Sequence, residues 1–165
     1  MKRVLITGMS GTGKSTVTAA LAARGYDAVD ADDPEFSELI AVSVDQLTGV
    51  GGGADWVWRE NRIAALLAGH ETGTLFVSGT SPNQGRFYDR FDHVVLLVAP
   101  PDVIATRLAT RTTNDFGKSS DELARALQLQ QEVEPLLRRG ADLEVDTTAP
   151  LDDLVDAILR HVTRD

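Results

Sequence analysis

Gly8-Met9-Ser10-Gly11-Thr12-Gly13-Lys14-Ser15 fills every position of the pattern G-x-x-x-x-G-K-[ST]. Its surroundings matter as much as the pattern. Arg3-Val4-Leu5-Ile6-Thr7 precedes it, a short apolar run rich in strand formers. An alanine-rich stretch follows from Ser15 to Arg24 and reads as a helix. Strand, glycine loop and helix in that order give the backbone N–H groups and the helix N-terminus a common target, a polyphosphate. Gly8, Met9, Ser10, Gly11, Thr12 and Gly13 form the cradle, and Thr16 continues it into the helix. Lys14 is expected at the β- and γ-phosphates, and the Ser15 hydroxyl at Mg²⁺.

Working outward, strand-like runs fall at 3–7, 27–30, 74–78, 93–98 and 143–145. Helical patterns fall between them, at 14–24, 55–68, 101–111, 121–139 and 151–161. Alternation of this kind implies an α/β protein with a parallel sheet covered on both faces. Gly25 suits a helix C-cap, Pro101 a first helical turn, and Pro135 a kink or an end late in its helix. Gly49 to Gly53 holds four glycines in five residues and reads as a flexible connection inside one domain.

The chain has 165 residues, is 42% hydrophobic and carries a formal charge of −9. That length supports one good core. The acidic balance excludes a nucleic-acid partner, which needs a basic stripe. Absence of cysteine excludes thiolate chemistry and disulfides and suits a reducing cytoplasm. No apolar run approaches a membrane span, and the run before the loop is too short for a signal peptide.

Four further groups carry candidate chemistry. Val29-Asp30-Ala31-Asp32-Asp33 ends the second strand, where open α/β sheets face their ligand crevice. Three carboxylates there suit Mg²⁺, held directly or through water, and a base for an acceptor hydroxyl, and strand alternation puts Asp30 and Asp32 on one side. Asp33 suits a cap for a helix starting near Pro34. Arg107, Arg111 and Lys118 flank a polar, glycine-bearing segment at about 112–120, read as a short lid whose cations cover the nucleotide. In Trp56-Val57-Trp58-Arg59-Glu60-Asn61-Arg62, read as helix, one tryptophan is expected in the core and the other on a pocket. Arg59 and Arg62 there share a face and suit an anionic acceptor. The polar loop 78–86 follows the third strand, with Arg86 a candidate acceptor contact. Many phosphate-loop proteins end this strand in an Asp that orders Mg²⁺, and Ser78 stands there instead, which shifts metal duty towards Asp30 and Asp32, or towards a water held by Ser78.

With these residues in hand, the chain resembles the small P-loop kinases, the group of shikimate, gluconate, adenylate and other nucleoside monophosphate kinases. Asp30-Ala31-Asp32 is similar to the Asp-x-Asp of shikimate kinases, which implies that Asp30 helps order Mg²⁺ and that Asp32 meets the acceptor hydroxyl, and Asp30-Ala31-Asp32-Asp33 is similar to a gluconate-kinase segment. Trp58-Arg59 stands where shikimate kinases carry a Phe-Arg that binds the substrate carboxylate. Gly79 is what remains of their triple glycine and is a candidate acceptor contact. Arg111 with Lys118 resembles the adenine-stacking arginine and lid cation, and Asp146-Thr147-Thr148-Ala149-Pro150 the loop packing on adenine, with Thr148 and Pro150 as nucleotide contacts.

The likeness implies a three-layer α/β/α P-loop NTPase fold, with a five-stranded parallel sheet in the order 2-3-1-4-5. It implies one domain over 1–165, with a substrate-binding helical segment at about 34–69. It implies transfer of the γ-phosphoryl group of Mg-ATP to a small-molecule acceptor by Lys14, Asp32 and Lys118, in a monomer or homodimer. A nucleoside monophosphate kinase and a non-enzymatic ATP-binding switch stay open beside that reading.

Overall fold

In a computed structural model, the structure describes residues 1–41, 54–112 and 117–164. The glycine run at 49–53 and the middle of the expected lid lie outside the described residues. Five strands, β1 (Lys2–Thr7), β2 (Asp27–Asp30), β5 (Thr74–Ser78), β6 (His93–Val98) and β7 (Leu143–Asp146), form a sheet in the order β2-β5-β1-β6-β7. All its pairings are parallel. Counted along these five strands alone, that is the expected order 2-3-1-4-5. β1 lies at the centre, so the loop that follows it opens at the middle of the sheet's carboxyl edge.

Strand alternation splits the core in two. Val4 and Ile6 of β1 join Phe76, Val95 and Leu97 against helices α1 (Lys14–Ala23) and α5 (Leu151–Val162), through Val17, Leu21, Val155 and Ile158. Leu5 faces the other way, with Leu75, Val77 and Val94. It meets Ile63 and Leu67 of α2 (Glu60–Gly69), Phe87 of the 3-10 helix Gln84–Arg90, and Trp58. Helix α4 (Ser120–Gly140) completes that second layer, with Leu129 and Leu137 on Leu96. Helix α3 (Pro101–Thr110) packs Ile104 and Leu108 with Ala126 of α4. Among the described residues, no helix is long and apolar enough to cross a membrane.

The structure corrects three local readings. The segment 34–69 is not helical throughout. Ser37–Ala41 and Ala54–Trp58 form strands β3 and β4 of an antiparallel pair, with Ser37 opposite Trp58 and Leu39 opposite Trp56. Helix α2 begins only at Glu60. Tryptophan and valine fit a strand once a partner is present, and that partner lies far upstream. Asp33 does not cap a helix. Its carbonyl accepts from Phe36 N at 2.9 Å and Ser37 N at 2.9 Å, a turn that feeds β3. Pro135 does not end α4, which runs on to Gly140 with that ring on its exposed side.

Candidate active site

At the carboxyl edge of the sheet a cleft of about 990 Å³ runs from the phosphate loop, past the ends of β2 and β5, to β4. The loop is tightly built. A Cβ on Gly8 would stand 2.6 Å from Leu97 O and 2.7 Å from Thr12 Oγ1, so only glycine allows this approach to β6. Thr12 is fully buried, and its hydroxyl donates to Met9 O at 2.7 Å. Lys14 Nζ spans the loop, donating to Gly8 O at 2.7 Å and Met9 O at 3.2 Å. Burial holds its ammonium below the ordinary lysine value, while the charges of Asp32 and Asp30 pull it back up.

Asp32 is the most constrained carboxylate of the cleft. Its Oδ1 accepts from Trp58 Nε1 at 3.3 Å, and both oxygens receive Thr80 N at 3.2 Å. Its own carbonyl accepts from Trp56 Nε1 at 3.0 Å. Both indoles therefore reach one residue, as i and i+2 side chains of a strand can and those of a helix cannot. The expected division of labour holds on a different element: Trp58 is 1% exposed, and Trp56 lines the cleft. Gly79 lies directly beneath. A Cβ there would stand 2.7 Å from Asp32 Oδ1 and 3.1 Å from Trp58 Cζ2.

Burial pushes the Asp32 carboxyl up to about 6, against the opposing pull of Lys14 and with a further push from Asp30. Burial also raises Asp30, whose Oδ1 accepts from Asp32 N at 3.0 Å. The Thr80 hydroxyl bonds Gly8 on the other side, tying the end of β5 to the loop.

Arg107 locks the phosphate-loop end of the cleft. Its guanidinium donates to Gly11 O at 3.3 Å, Thr12 O at 3.4 Å, Thr147 Oγ1 at 2.8 Å and Thr147 O at 2.8 Å. Helix α3 thereby joins the phosphate loop to the turn after β7. Thr147 and Ala149 of that turn line the cleft. Thr148 folds back on Asp146 Oδ1, and Pro150 precedes α5. Arg111 lines the cleft at the end of α3. Ser119 caps α4 by accepting from Glu122 N at 3.2 Å, and Glu122 Oε2 takes Gly117 N at 2.7 Å. Lys118, between them, is exposed and outside the cleft wall.

The expected residues thus divide. Met9, Ser10, Gly11, Gly13, Lys14, Ser15, Thr16, Asp30, Asp32, Arg107 and Arg111 share the cleft. Gly8, Thr12 and Gly79 support it from below. Arg59, Arg62 and Arg86 do not line it. Arg59 Nη1 bridges Glu38 Oε2 at 3.0 Å, Arg86 Nη1 bridges Glu60 Oε1 at 2.7 Å, and Arg62 is exposed. Asp55, Thr80 and Ser81 join the cleft without having been foreseen as individual contacts. Only the polarity of the 78–86 loop signalled the last two.

Ser15 and Asp30 place a hydroxyl and a carboxylate on the cleft, an all-oxygen set that fits a hard divalent cation such as Mg²⁺.

Fold and cleft define a P-loop nucleotide-binding protein of the small-kinase type. Residues 4–128 match the AAA domain profile, and the chain belongs to that family as a small P-loop kinase, an ATP-dependent phosphotransferase. A shikimate kinase of Halorhodospira halophila is 30% identical over 150 residues, spanning 88% of this chain and 84% of that protein. A shikimate kinase from Acinetobacter baumannii, solved in complex with shikimate, matches the fold with a TM-score of 0.65 at 20% identity, covering 98% of this chain and 93% of that one. A gluconokinase from Sinorhizobium meliloti matches with a TM-score of 0.56 at 20% identity, covering 99% and 92%.

Proposed function

We propose that this kinase transfers the γ-phosphoryl group of Mg-ATP to a hydroxyl of a small-molecule acceptor, with Asp32 as the base. The observation that carries the reading is the Asp32 carboxyl itself. It faces the phosphate loop, is held by Trp58 Nε1 and Thr80 N, and titrates near 6. A general base works best with its pKa close to the working pH, and this one is deprotonated at pH 7 without being inert.

The acceptor oxygen attacks the γ-phosphorus, the bond from that phosphorus to the β–γ bridging oxygen breaks, and ADP leaves. The acceptor's proton goes to Asp32. Its Oδ2 holds only the shared Thr80 amide, whereas Oδ1 also takes the indole N–H, so Oδ2 is the oxygen left for that proton. Lys14 neutralises charge at the β- and γ-phosphates, and loop N–H groups do the same along the chain of phosphates. Ser15 and Asp30 would hold Mg²⁺, which when bound screens the phosphate charge. Arg107 keeps the loop in shape, Arg111 faces the nucleotide, and the post-β7 turn that carries Thr148 and Pro150 flanks the adenine. Lys118, exposed just before α4, is the cation we assign to the γ-phosphate.

The test is ADP release from Mg-ATP, with and without pooled metabolites and nucleoside monophosphates, for wild type and Lys14→Ala. A rise that one pool causes and Lys14→Ala abolishes is the expected result. Equal turnover in the variant overturns the proposal. ATP binding without transfer to any pool turns the reading to a nucleotide-dependent switch.

A further inference from the structure

Two imidazoles and a carboxylate meet at the amino edge of the sheet, the end of β6 away from the cleft. His93 is the first residue of β6, Asp142 immediately precedes β7, and His161 lies in the last turn of α5. His93 Nδ1 stands 3.0 Å from Asp142 Oδ2, and His161 Nε2 stands 3.4 Å from Asp142 Oδ1. The two rings meet edge to face, with centroids 5.1 Å apart. One ligand atom from each residue lies within 4.8 Å of the others.

The fold holds these groups in place. Asp142 N donates to Val94 O at 2.9 Å, and Asp142 Oδ1 accepts from Val94 N at 3.1 Å. The His93 side chain is buried, and α5 is pinned by Ile158 and Val162 in the core and by the Lys2 ammonium on Val162 O. His161 Nε2 is shut off from solvent, yet among the described residues it makes no hydrogen bond. It faces the carboxylate without the alignment that one requires. A polar atom in that condition is unsatisfied, and a bond to a metal ion satisfies it. Charge narrows the choice of ion. Lys2, Arg139, Arg160 and Arg164 are cations on the adjoining segment ends, and Asp92 already accepts Arg3 N at 2.7 Å. A hard ion held by charge alone, such as Mg²⁺ or Ca²⁺, gains little beside them. Two nitrogen donors instead suit the borderline-soft ions late in the first transition row.

We infer that His93, Asp142 and His161 bind a divalent transition-metal ion of the Zn²⁺ type, at a site separate from the Mg²⁺ position in the cleft. Donor atoms that share one zinc ion, each about 2.0–2.2 Å from it, stand about 3–3.5 Å apart. The His93 and His161 nitrogens already stand at that spacing from the Asp142 carboxylate. A rotation of the partly exposed His161 ring closes the remaining gap. Both rings ligate as neutral imidazoles. The proton between His93 Nδ1 and Asp142 gives way to the metal, and the ring carries its proton on Nε2. The Val94 N–H bond to Asp142 Oδ1 orients the carboxylate from behind. Water completes the coordination. The ion ties β6, the approach to β7 and the end of α5 into one unit.

The chain has 3 histidines, which makes the test direct. His70 lies 4.0 Å from Asp27, away from this cluster, and serves as the internal control. The full chain, stripped of metal by chelation and free of nucleotide, is titrated with Zn²⁺ while its imidazole ¹⁵N resonances are followed. His93 and His161 should shift together and saturate with a single ion bound. His70 should stay still, and excess Mg²⁺ should move none of the three. The cleft wall holds no histidine, so zinc taken up beside Asp30 cannot imitate this signal. His161→Ala should weaken the zinc response of His93 at least ~tenfold and remove the rise in Tm that zinc gives wild type. Asp142→Asn, which keeps an acceptor for Val94 N, should do the same and decides the matter if His161→Ala fails to fold. His93 and His161 resonances that stay still in excess zinc overturn the inference. So does a shift of all three histidines alike, as loose surface binding would give, or a wild-type response in the folded variants.

Discussion

Replacing Asp32 by asparagine should stabilise this protein and destroy its activity. Asparagine keeps the shape and an acceptor oxygen for Trp58 Nε1 and Thr80 N, but it cannot ionise. The aspartate carboxyl lies at about 6 in the fold against an ordinary 3.8, which corresponds to about 3 kcal/mol between its two protonation states. The sign follows from the direction of that displacement. A carboxyl raised in the folded state contributes its full share below about pH 4 and loses it as pH rises through about 6. At pH 8 wild type bears the whole cost of a buried charge, and Asp32→Asn does not. The variant should then be more stable by up to ~3 kcal/mol. For a chain of this size that is roughly 2–4 °C of Tm per kcal/mol. At pH 4 the advantage should vanish. Thermal melts of both proteins without nucleotide, at pH 4, 6 and 8, measure this directly. A variant no more stable than wild type at pH 8, or an advantage independent of pH, refutes the burial argument. Turnover should fall by about 10²–10⁴-fold, the usual range for a positioned base. In wild type, kcat/KM should rise with pH along an acid limb centred near 6, and asparagine should remove that limb.

Gly79→Ala puts a methyl group 2.7 Å from Asp32 Oδ1, so the carboxylate must move. A loss of kcat of about a hundredfold and a cost of about 1–3 kcal/mol in denaturant titrations are expected, and near-normal kcat would show that Asp32 is not the base. Arg107→Ala removes the link between the phosphate loop and Thr147, and should weaken Mg-ATP binding about tenfold or more by calorimetry, with acceptor KM little changed. Arg86→Ala loses an exposed ion pair with Glu60. Stability should change by less than about 1 kcal/mol and kcat/KM by less than about twofold, and a large rise in acceptor KM would return Arg86 to the acceptor site.

The nucleotide half of the site was legible because it is local. Eight consecutive residues, the strand before them and the helix after them hold all the information that places backbone N–H groups around a phosphate. The strands of the sheet were legible for a related reason. Runs such as Val4-Leu5-Ile6 and Val94-Val95-Leu96-Leu97 are buried on both faces and cannot read as anything half-exposed. The hairpin was not legible. Asp55-Trp56-Val57-Trp58 has no internal signal that outweighs the helical pattern following it, and β4 exists because β3 lies beside it.

By itself, then, the sequence determined the phosphate loop, the alternation of strand and helix, and the two carboxylates at the end of β2. Each is a property of neighbours along the chain. Tertiary structure alone decided what surrounds those carboxylates. Trp58 lies 26 positions and Thr80 48 positions from the Asp32 they hold, and the burial that raises its pKa is assembled from all of them. Tertiary structure alone also turned Arg59 and Arg86 towards Glu38 and Glu60 and away from the cleft. A charge is visible in a sequence, but its partner is chosen by distance in space.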